Sequence, residues 1–278
     1  MDGVLQIRLW GVRGNSAPFQ ASTEFGNHTT CIEVGVDGFP SVLVDMGSGA
    51  VPAARDFLAR GVRQFEIFQT HLHMDHLLGL FSFAPLYSAE CGVRWHAARP
   101  DLEPTVKALM APPLHQVPFE ALAARVGFEV MPSQGVRELP ELGMTVSWAP
   151  VAHPQGCTAY RFDSGSSAVV VATDVELGAV SVHPGLERLL REPYPAGLAL
   201  MDGTYTDEEL SRHAGWGHSS WTQARDFSAR CGVGRMMVMH HHPARTDEEL
   251  EELVSAAEPV RWAREGGMVR LSGNHTAW

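Results

Sequence analysis

The residue pattern predicts an α+β fold, a four-layer αβ/βα sandwich in which two mixed sheets pack face to face and helices cover their outer sides. Three observations carry this reading. Short apolar runs at strand period alternate with helical patterns through two successive halves of the chain, as a layered architecture requires. Strand-like runs repeatedly stop at histidine or aspartate, so polar side chains should collect along one edge of the sheets. No Ser/Gly/Pro linker or low-complexity run divides the 278 residues, and one domain over residues 1–278 is expected.

Val4-Leu5-Gln6-Ile7-Arg8-Leu9-Trp10 alternates as a first strand and runs into a glycine-rich turn, Gly11 to Pro18. No helix pattern follows that turn, so a phosphate-cradling loop is unsupported. Thr29 to Val36 predicts a second strand and Ser41 to Val44 a third, which ends at Asp45-Met46-Gly47-Ser48-Gly49. Ala50 to Arg60 reads as an amphipathic helix and Phe65 to Phe68 as a short strand. That strand delivers Thr70-His71-Leu72-His73-Met74-Asp75-His76, where four strong metal-ligand side chains fall within six residues. His71 and His73, two apart on extended chain, point the same way and can hold one metal; Asp75 and His76, past the turn, can face a second. With no cysteine nearby, the donors favour an open, hydrolytic site over a closed structural zinc. A loop of solvated histidines is the plainer alternative, and the density of the motif argues against it.

Leu77 to Tyr87 is strongly apolar and reads as a short buried helix plus loop, with Pro85 as its stop. Residues 88–142 carry the least pattern: Val93 to His96 suggests a strand, Leu102 to Met110 a helix, and Pro112-Pro113 a break. This stretch is expected to cover the site and set substrate choice, while His96 and His115, standing alone, read as structural or exposed. Met144 to Trp148 is a strand leading to Ala149-Pro150-Val151-Ala152-His153. Thr158 to Phe162 and Ala168 to Val171 form a hairpin-like pair, and the second strand leads to Asp174-Val175-Glu176, where the aspartate taken alone could be a helix cap. Gly197 to Met201 ends in Asp202-Gly203-Thr204-Tyr205, before a helix capped at Thr206; Gly215-Trp216-Gly217-His218-Ser219-Ser220 precedes a helix that Ser220 and Gln223 can box. Arg235 to Met239 runs into His240-His241-His242-Pro243, Thr246 caps the last helix, which breaks near Pro259, and Met268 to Leu271 can add a final strand.

With 45% hydrophobic and 19% charged residues the chain can build a sizeable core and is not of disordered composition. Its net charge of −11 argues against a polyanion held by a basic surface, so nucleic acid is disfavoured as a partner. A small anionic substrate stays allowed, because bound metal would supply local positive charge. Cys31, Cys91, Cys157 and Cys231 form no Cys-x-x-Cys pair and read as reduced, buried thiols. The chain opens directly into a strand pattern without a cleavable leader, and no apolar run approaches membrane-spanning length; a cytoplasmic protein without a membrane partner is expected.

The order His71-x-His73-x-Asp75-His76 after a strand resembles the signature of the metallo-β-lactamase-fold hydrolases. Other segments extend the likeness over nearly the whole chain and narrow it to a branch similar to the phosphoribosyl cyclic phosphate phosphodiesterases and, more distantly, to tRNase Z. Trp10-Gly11-Val12-Arg13-Gly14-Asn15-Ser16-Ala17-Pro18 is similar to that branch's opening, and Gly79 to Tyr87 to its Gly-x-Pro-Phe-Phe-x-Pro-Leu-Tyr segment, with Phe81 and Ser82 departing from it. Asp202 to Glu209, Gly215 to Ser219 and His240 to Pro243 are similar to its later elements. His28 in Gly26-Asn27-His28-Thr29 and His242 stand where other residues are usual, which leaves the roles of His28, His241 and His242 open. The Gly-Leu-Pro-Gly segment and basic arm of tRNase Z are not visible.

The resemblance implies that His153 completes a first metal site with His71 and His73, that His240 joins Asp75 and His76 at a second, and that Asp174 bridges the two. It makes Asp45 a support of the metal loop and not a ligand. It makes His218 the group that protonates the leaving oxygen and Asp202 the group that orients and charges it, with Asp75 beside them as the third catalytic residue. Two divalent ions are expected, zinc first, with manganese and iron equally suited to imidazole and carboxylate. The expected function is hydrolysis of a small cyclic or nucleotide-like phosphodiester. The alternatives are an RNA-processing nuclease of tRNase Z type, a lactone or thioester hydrolase, and a non-catalytic metal-binding scaffold. Because relatives are often dimers, a homodimer is an open expectation.

Overall fold

The computed structural model describes residues 3–178, 183–257, 259–273 and 275–277. The first sheet is built from β1 (Leu5–Gly11), β2 (Cys31–Val36), β3 (Val42–Val44), β4 (Gln64–Phe68), β5 (Gly92–Ala97) and β6 (Arg125–Val130), with β14 (Met268–Ser272) and β15 (His275–Ala277) added beyond β1. The second contains β7 (Gly135–Leu139), β8 (Met144–Val151), β9 (Cys157–Ser164), β10 (Ser167–Ala172), β11 (Leu198–Asp202), β12 (Met236–Met239) and β13 (Arg261–Trp262). Each sheet is antiparallel in one part and parallel in the other: β3 to β6 run parallel, as do β10 to β13.

Alternation decides which side of each strand is inside. Leu5, Ile7 and Leu9 of β1 point into the layer between the sheets, where they meet Val146, Phe162, Val169, Val171, Leu198 and Leu200 from the other sheet, while Gln6 and Arg8 stay partly exposed. Each such buried aliphatic side chain contributes about 1.5–3 kcal/mol. The outer face of the first sheet is covered by α1 (Ala50–Ala59), α2 (Leu102–Leu109) and the apolar segment after the metal motif. That segment forms two 3-10 turns, Leu78–Ser82 and Ala84–Tyr87, not one helix. The outer face of the second sheet is covered by α3 (Pro184–Arg191), α5 (Trp221–Arg230) and α6 (Asp247–Ala256), with the short α4 (Asp207–Leu210) at one end. The four-layer αβ/βα sandwich expected from the sequence is therefore the fold.

Residues 88–142 depart from the expected cover. They supply β5 and β6 at one margin of the first sheet, then cross to the second as its marginal strand β7. Edge strands expose one side, which weakens the apolar alternation that sequence reading depends on. None of the helices among the described residues is long and apolar enough to cross a membrane.

The carboxyl ends of the parallel strands meet at one edge, where the loops after β3, β4, β8, β10, β11 and β12 converge. Backbone bonds sew the halves together there: Thr158 N–H to Thr70 C=O at 3.0 Å, Glu176 N–H to Ala152 C=O at 2.8 Å, and His241 N–H to Val12 C=O at 3.0 Å. Among the described residues, the non-glycine positions with left-handed backbone are Asn15, Asp45, Gln155 and His240, and all four lie at this edge. Strained conformations persist where surrounding structure holds them, and they concentrate at functional sites.

Candidate metal centre

The loop after β4 begins with Thr70, whose N–H and hydroxyl both bond Asp45 at the end of β3, at 2.8 and 3.0 Å to Oδ1. Asp45 then reaches forward to His76: Oδ2 accepts from Nδ1 at 2.7 Å, with both residues fully buried. This fixes the His76 tautomer and leaves Nε2 pointing away from Asp45. Burial pushes the Asp45 carboxyl up from the usual range, against the pull of His76. The support role assigned to Asp45 thus corresponds to one short hydrogen bond.

His71, His73, His153 and His240 are likewise held through their outer ring nitrogens, and Asp75 through a backbone N–H. His71 Nδ1 lies 3.0 Å from the Thr70 hydroxyl. His73 Nε2 bonds the Gln155 side-chain carbonyl at 2.9 Å, and His153 Nδ1 donates to the Gly217 carbonyl at 2.7 Å. His240 Nδ1 lies 3.0 Å from the Thr204 hydroxyl, and Asp75 Oδ2 accepts from Asn15 N–H at 2.7 Å. The inner atoms then converge. His73 Nδ1 and His153 Nε2 are 3.1 Å apart, and ligand atoms of His71, His73 and His153 lie within 4.8 Å of one another. Asp75 with His76 and His240 forms a second such group, and His71 with His76 and Asp174 a third between them. Asp174 spans the middle, with Oδ1 3.1 Å from His240 Nε2 and Oδ2 3.3 Å from His76 Nε2.

These donors fit divalent cations. Metal–nitrogen bonds of about 2.0–2.1 Å at tetrahedral angles place neighbouring donors about 3.3 Å apart. The donor pairs here fall around that value, Asp75 Oδ2 to His240 Nε2 at 3.2 Å and to His76 Nε2 at 3.4 Å. His71 Nε2, His76 Nε2 and Asp174 Oδ2 are buried and have no hydrogen-bond partner in the protein. A buried polar atom left unpaired costs about 1–3 kcal/mol, so three at one point imply a missing partner.

The electrostatics agree. Burial holds His71 well below its ordinary range, helped by His76, and burial also lowers His153, which favours the neutral, ligating form of both imidazoles. Burial would equally lower His76 and His240, but the surrounding carboxylates outweigh it: Asp174, Asp75 and Asp45 raise His76 well above its usual value, and Asp174 with Asp75 brings His240 to about 10. Burial works to raise Asp75 and Asp174, yet the same imidazoles hold both carboxyls low. The carboxylates thus favour positive charge at the His76 and His240 end of the cluster, as a bound cation would supply.

Beside this cluster, His218 Nδ1 donates to Asp202 Oδ2 at 2.8 Å, and Asp202 is fully buried at the end of β11. A ring nitrogen of His218 lies within 4.8 Å of ligand atoms on His153 and Asp174, and its ring stacks on His240 at 4.6 Å, so the pair abuts the cluster.

All seven proposed ligands and the His218–Asp202 pair therefore come together at one edge. His28 does not: its Nδ1 pairs with Glu265 at 2.7 Å, on the loop Asn27–His28 that Glu265 also holds by both backbone N–H groups. His241 turns away, Nε2 donating to the Ala263 carbonyl at 2.7 Å, and burial pushes its pKa down to about 3. His242 is half-buried beside Tyr205. His96 lies buried between Glu66 and Glu129, with its imidazole engaged by those two carboxylates. Sequence reading missed Gln155, Thr204, Asn15 and Glu176, whose roles depend on contacts far along the chain. Gly14 and Gly217 had a visible signal in their glycine-rich turns: a Cβ would fall 2.1 Å from His240 Nδ1 at the first and 2.5 Å from His153 Nδ1 at the second.

Fold and donor set together define a metallo-β-lactamase-fold metal-binding hydrolase. Residues 40–241 match the beta-lactamase superfamily domain, and the chain belongs to that superfamily. Among solved structures it is similar to the metallo-β-lactamase-fold protein YhfI from Bacillus subtilis, with a TM-score of 0.70 and 14% identity over 97% of this chain and 100% of that one. A diphosphatase of the PhnP family follows at TM-score 0.67 and 18% identity, over 95% and 96% of the two chains. The short form of human tRNase Z matches at TM-score 0.65 and 16% identity, over 95% and 98%. At such identities the likeness is one of fold. No curated protein matches the sequence.

Proposed function

We propose that this chain is a dinuclear metal-dependent phosphodiesterase acting on a small cyclic or nucleotide-like phosphodiester. His71, His73 and His153 would hold one ion, Asp75, His76 and His240 the other, and Asp174 both; zinc is the first choice, with manganese or iron suited to the same donors. Such ions supply charge for the non-bridging oxygens of a diester and lower the pKa of coordinated water.

The chain's own contribution is positional and protolytic. Asp75, fixed by Asn15 N–H, would orient the attacking water, which releases its proton to solvent before attack because coordination would lower its pKa. As the new P–O bond forms and the bond to the leaving oxygen breaks, His218 Nε2 gives its proton to that oxygen, a contribution typically ~10²- to 10⁴-fold. Asp202 holds Nδ1 throughout, so Nε2 stays aimed at the reacting atoms. The observation that supports this reading best is the His218–Asp202 pair set directly against a cluster of orphaned, converging donors. It is tested by metal content together with hydrolysis of bis(p-nitrophenyl) phosphate, wild type against Asp174→Ala, after loading with zinc or manganese. About two ions per chain and activity lost in the variant are expected. Two ions without diester cleavage would move the assignment to a lactone or thioester, and no bound metal would refute it.

A further inference from the structure

Trp216 is 63% exposed, and none of the apolar core clusters includes it. Yet its backbone is held firmly. The N–H groups on either side, of Gly215 and Gly217, donate to the two carboxylate oxygens of Glu176 at 2.6 and 3.1 Å. The Gly217 carbonyl is also the acceptor for His153 Nδ1. Glu176 lies two residues beyond Asp174, so one strand end carries both the central carboxylate of the metal cluster and the anchor of this loop. Trp216 is in turn two residues from His218, which limits their Cα separation to about 7 Å.

Behind the indole stands a ladder of rings leading to the proton donor. His213 touches Trp216 edge-on at 5.0 Å between centroids, and stacks on Tyr205 at 4.6 Å with an angle of 10°. Tyr205 lies 6.0 Å from His218. Single exposed apolar side chains are common on protein surfaces; this one is set apart because Glu176 pins its loop and it lies two residues from His218. The ring ladder and the two-residue spacing tie it to His218, the group proposed to give the leaving oxygen its proton.

We infer that Trp216 is a stacking platform for a planar ring carried by the leaving alcohol, so that the substrate is a phosphodiester whose expelled oxygen belongs to a nucleoside. This rests on the phosphodiesterase reading above and narrows it, since a phosphodiester whose alcohol carries a planar heterocycle is most simply a nucleotide. Stacking of a base on an aromatic side chain corresponds to roughly 5- to 150-fold in affinity.

The test uses zinc-loaded wild type, Trp216→Ala and Trp216→Phe. Calorimetry compares adenosine 5′-monophosphate with ribose 5-phosphate, which differ only in the base; phosphorus NMR follows hydrolysis of 2′,3′-cyclic AMP and of glycerol 1,2-cyclic phosphate. Wild type should prefer the base-bearing member of each pair, the preference should fall by about tenfold or more in Trp216→Ala, and Trp216→Phe should keep most of it. Equal binding of the two monophosphates by wild type, or an unchanged preference in Trp216→Ala, overturns the platform while hydrolysis of both diesters leaves the phosphodiesterase reading standing. If neither diester is hydrolysed, that reading falls and takes the leaving-group assignment with it. A change of oligomeric state on Trp216→Ala, seen by light scattering, would reassign the indole to a contact between copies and also overturn it.

Discussion

Gly14→Ala separates the second metal position from the first by adding one methyl group. A Cβ on residue 14 would fall 2.1 Å from both Cε1 and Nδ1 of His240, where ordinary contact begins near 3.4 Å, so the ring must retreat by about 1.3 Å. The backbone cannot easily yield instead, because Gly14 N–H is bonded to the His241 carbonyl at 3.0 Å and His240 already holds a left-handed φ of 62°. Overpacking of this kind costs about 1–3 kcal/mol, and ligand positions tolerate only about 0.2 Å. The three atoms nearest a Cβ on residue 14 all belong to His240, so the first ion should stay. The expected result is about one retained ion in place of two, with hydrolysis down on the order of 10²-fold, the usual consequence of a 1 Å misplacement. Equilibrium dialysis against zinc with emission spectroscopy reads the metal, and a thermal melt reports whether the fold survives. Two ions bound at wild-type affinity would refute the reasoning, showing either that His240 is free to move or that it is not a ligand.

Further outcomes follow from single contacts. Asp45→Asn keeps the shape of the His76 partner but removes its charge, and metal affinity measured by calorimetry should fall about 10- to 100-fold. His218→Ala should lower turnover by ~10²- to 10⁴-fold with metal content intact; parallel loss of an ion would make His218 a ligand. Asp247 accepts hydrogen bonds from Ser22 Oγ and the N–H groups of Thr23 and Glu24, which outweigh its partial burial and bring its pKa to about 2. Because the folded value is depressed, its stabilisation is complete above the ordinary carboxylate value and is lost as pH falls through about 2. Urea midpoints should therefore show Asp247→Asn destabilised by about 1 kcal/mol at neutral pH, with the difference closing in acid; a constant difference at all pH values would assign the loss to shape, not charge.

The parts of this fold that were legible in the sequence are those whose signal is local. Phe65 to Phe68 and the ligands after it read as strand and motif because period, turn and donor types fall within a dozen residues. The capping boxes at Thr206 and Ser220 were equally plain, and both form as side-chain to backbone pairs. α3 was not anticipated, although Leu186, Leu189 and Leu190 bury one face of it; it opens on Pro184 and is followed by Pro193 and Pro195, and these breakers mask its short helical period. The strands β6 and β7 escaped because they are marginal, with side chains half in water. Within the site, histidines could be nominated by type, but their orienting partners could not. Gln155 meets His73 across 82 positions, and the separation between His240 and Asp75 is 165, so only the closed fold shows them.

Asp202 shows why those partners matter to the chemistry. It accepts from Val175 N–H at 3.1 Å, Thr204 N–H at 3.0 Å, the Thr204 hydroxyl at 2.9 Å and His218 Nδ1 at 2.8 Å. The Thr204 hydroxyl has one proton and two other neighbours, His240 Nδ1 at 3.0 Å and the His240 carbonyl at 3.1 Å. If His240 offers Nε2 to a cation, its Nδ1 must carry hydrogen and donate to Thr204, which leaves the hydroxyl proton to Asp202 at 2.9 Å or the His240 carbonyl at 3.1 Å, the charged and nearer acceptor being favoured. The ligand tautomer and the acceptor strength of Asp202 are then set together. A filled second site thereby favours the Asp202 arrangement that holds His218 ready to give its proton, and a disordered His240 would disturb both at once.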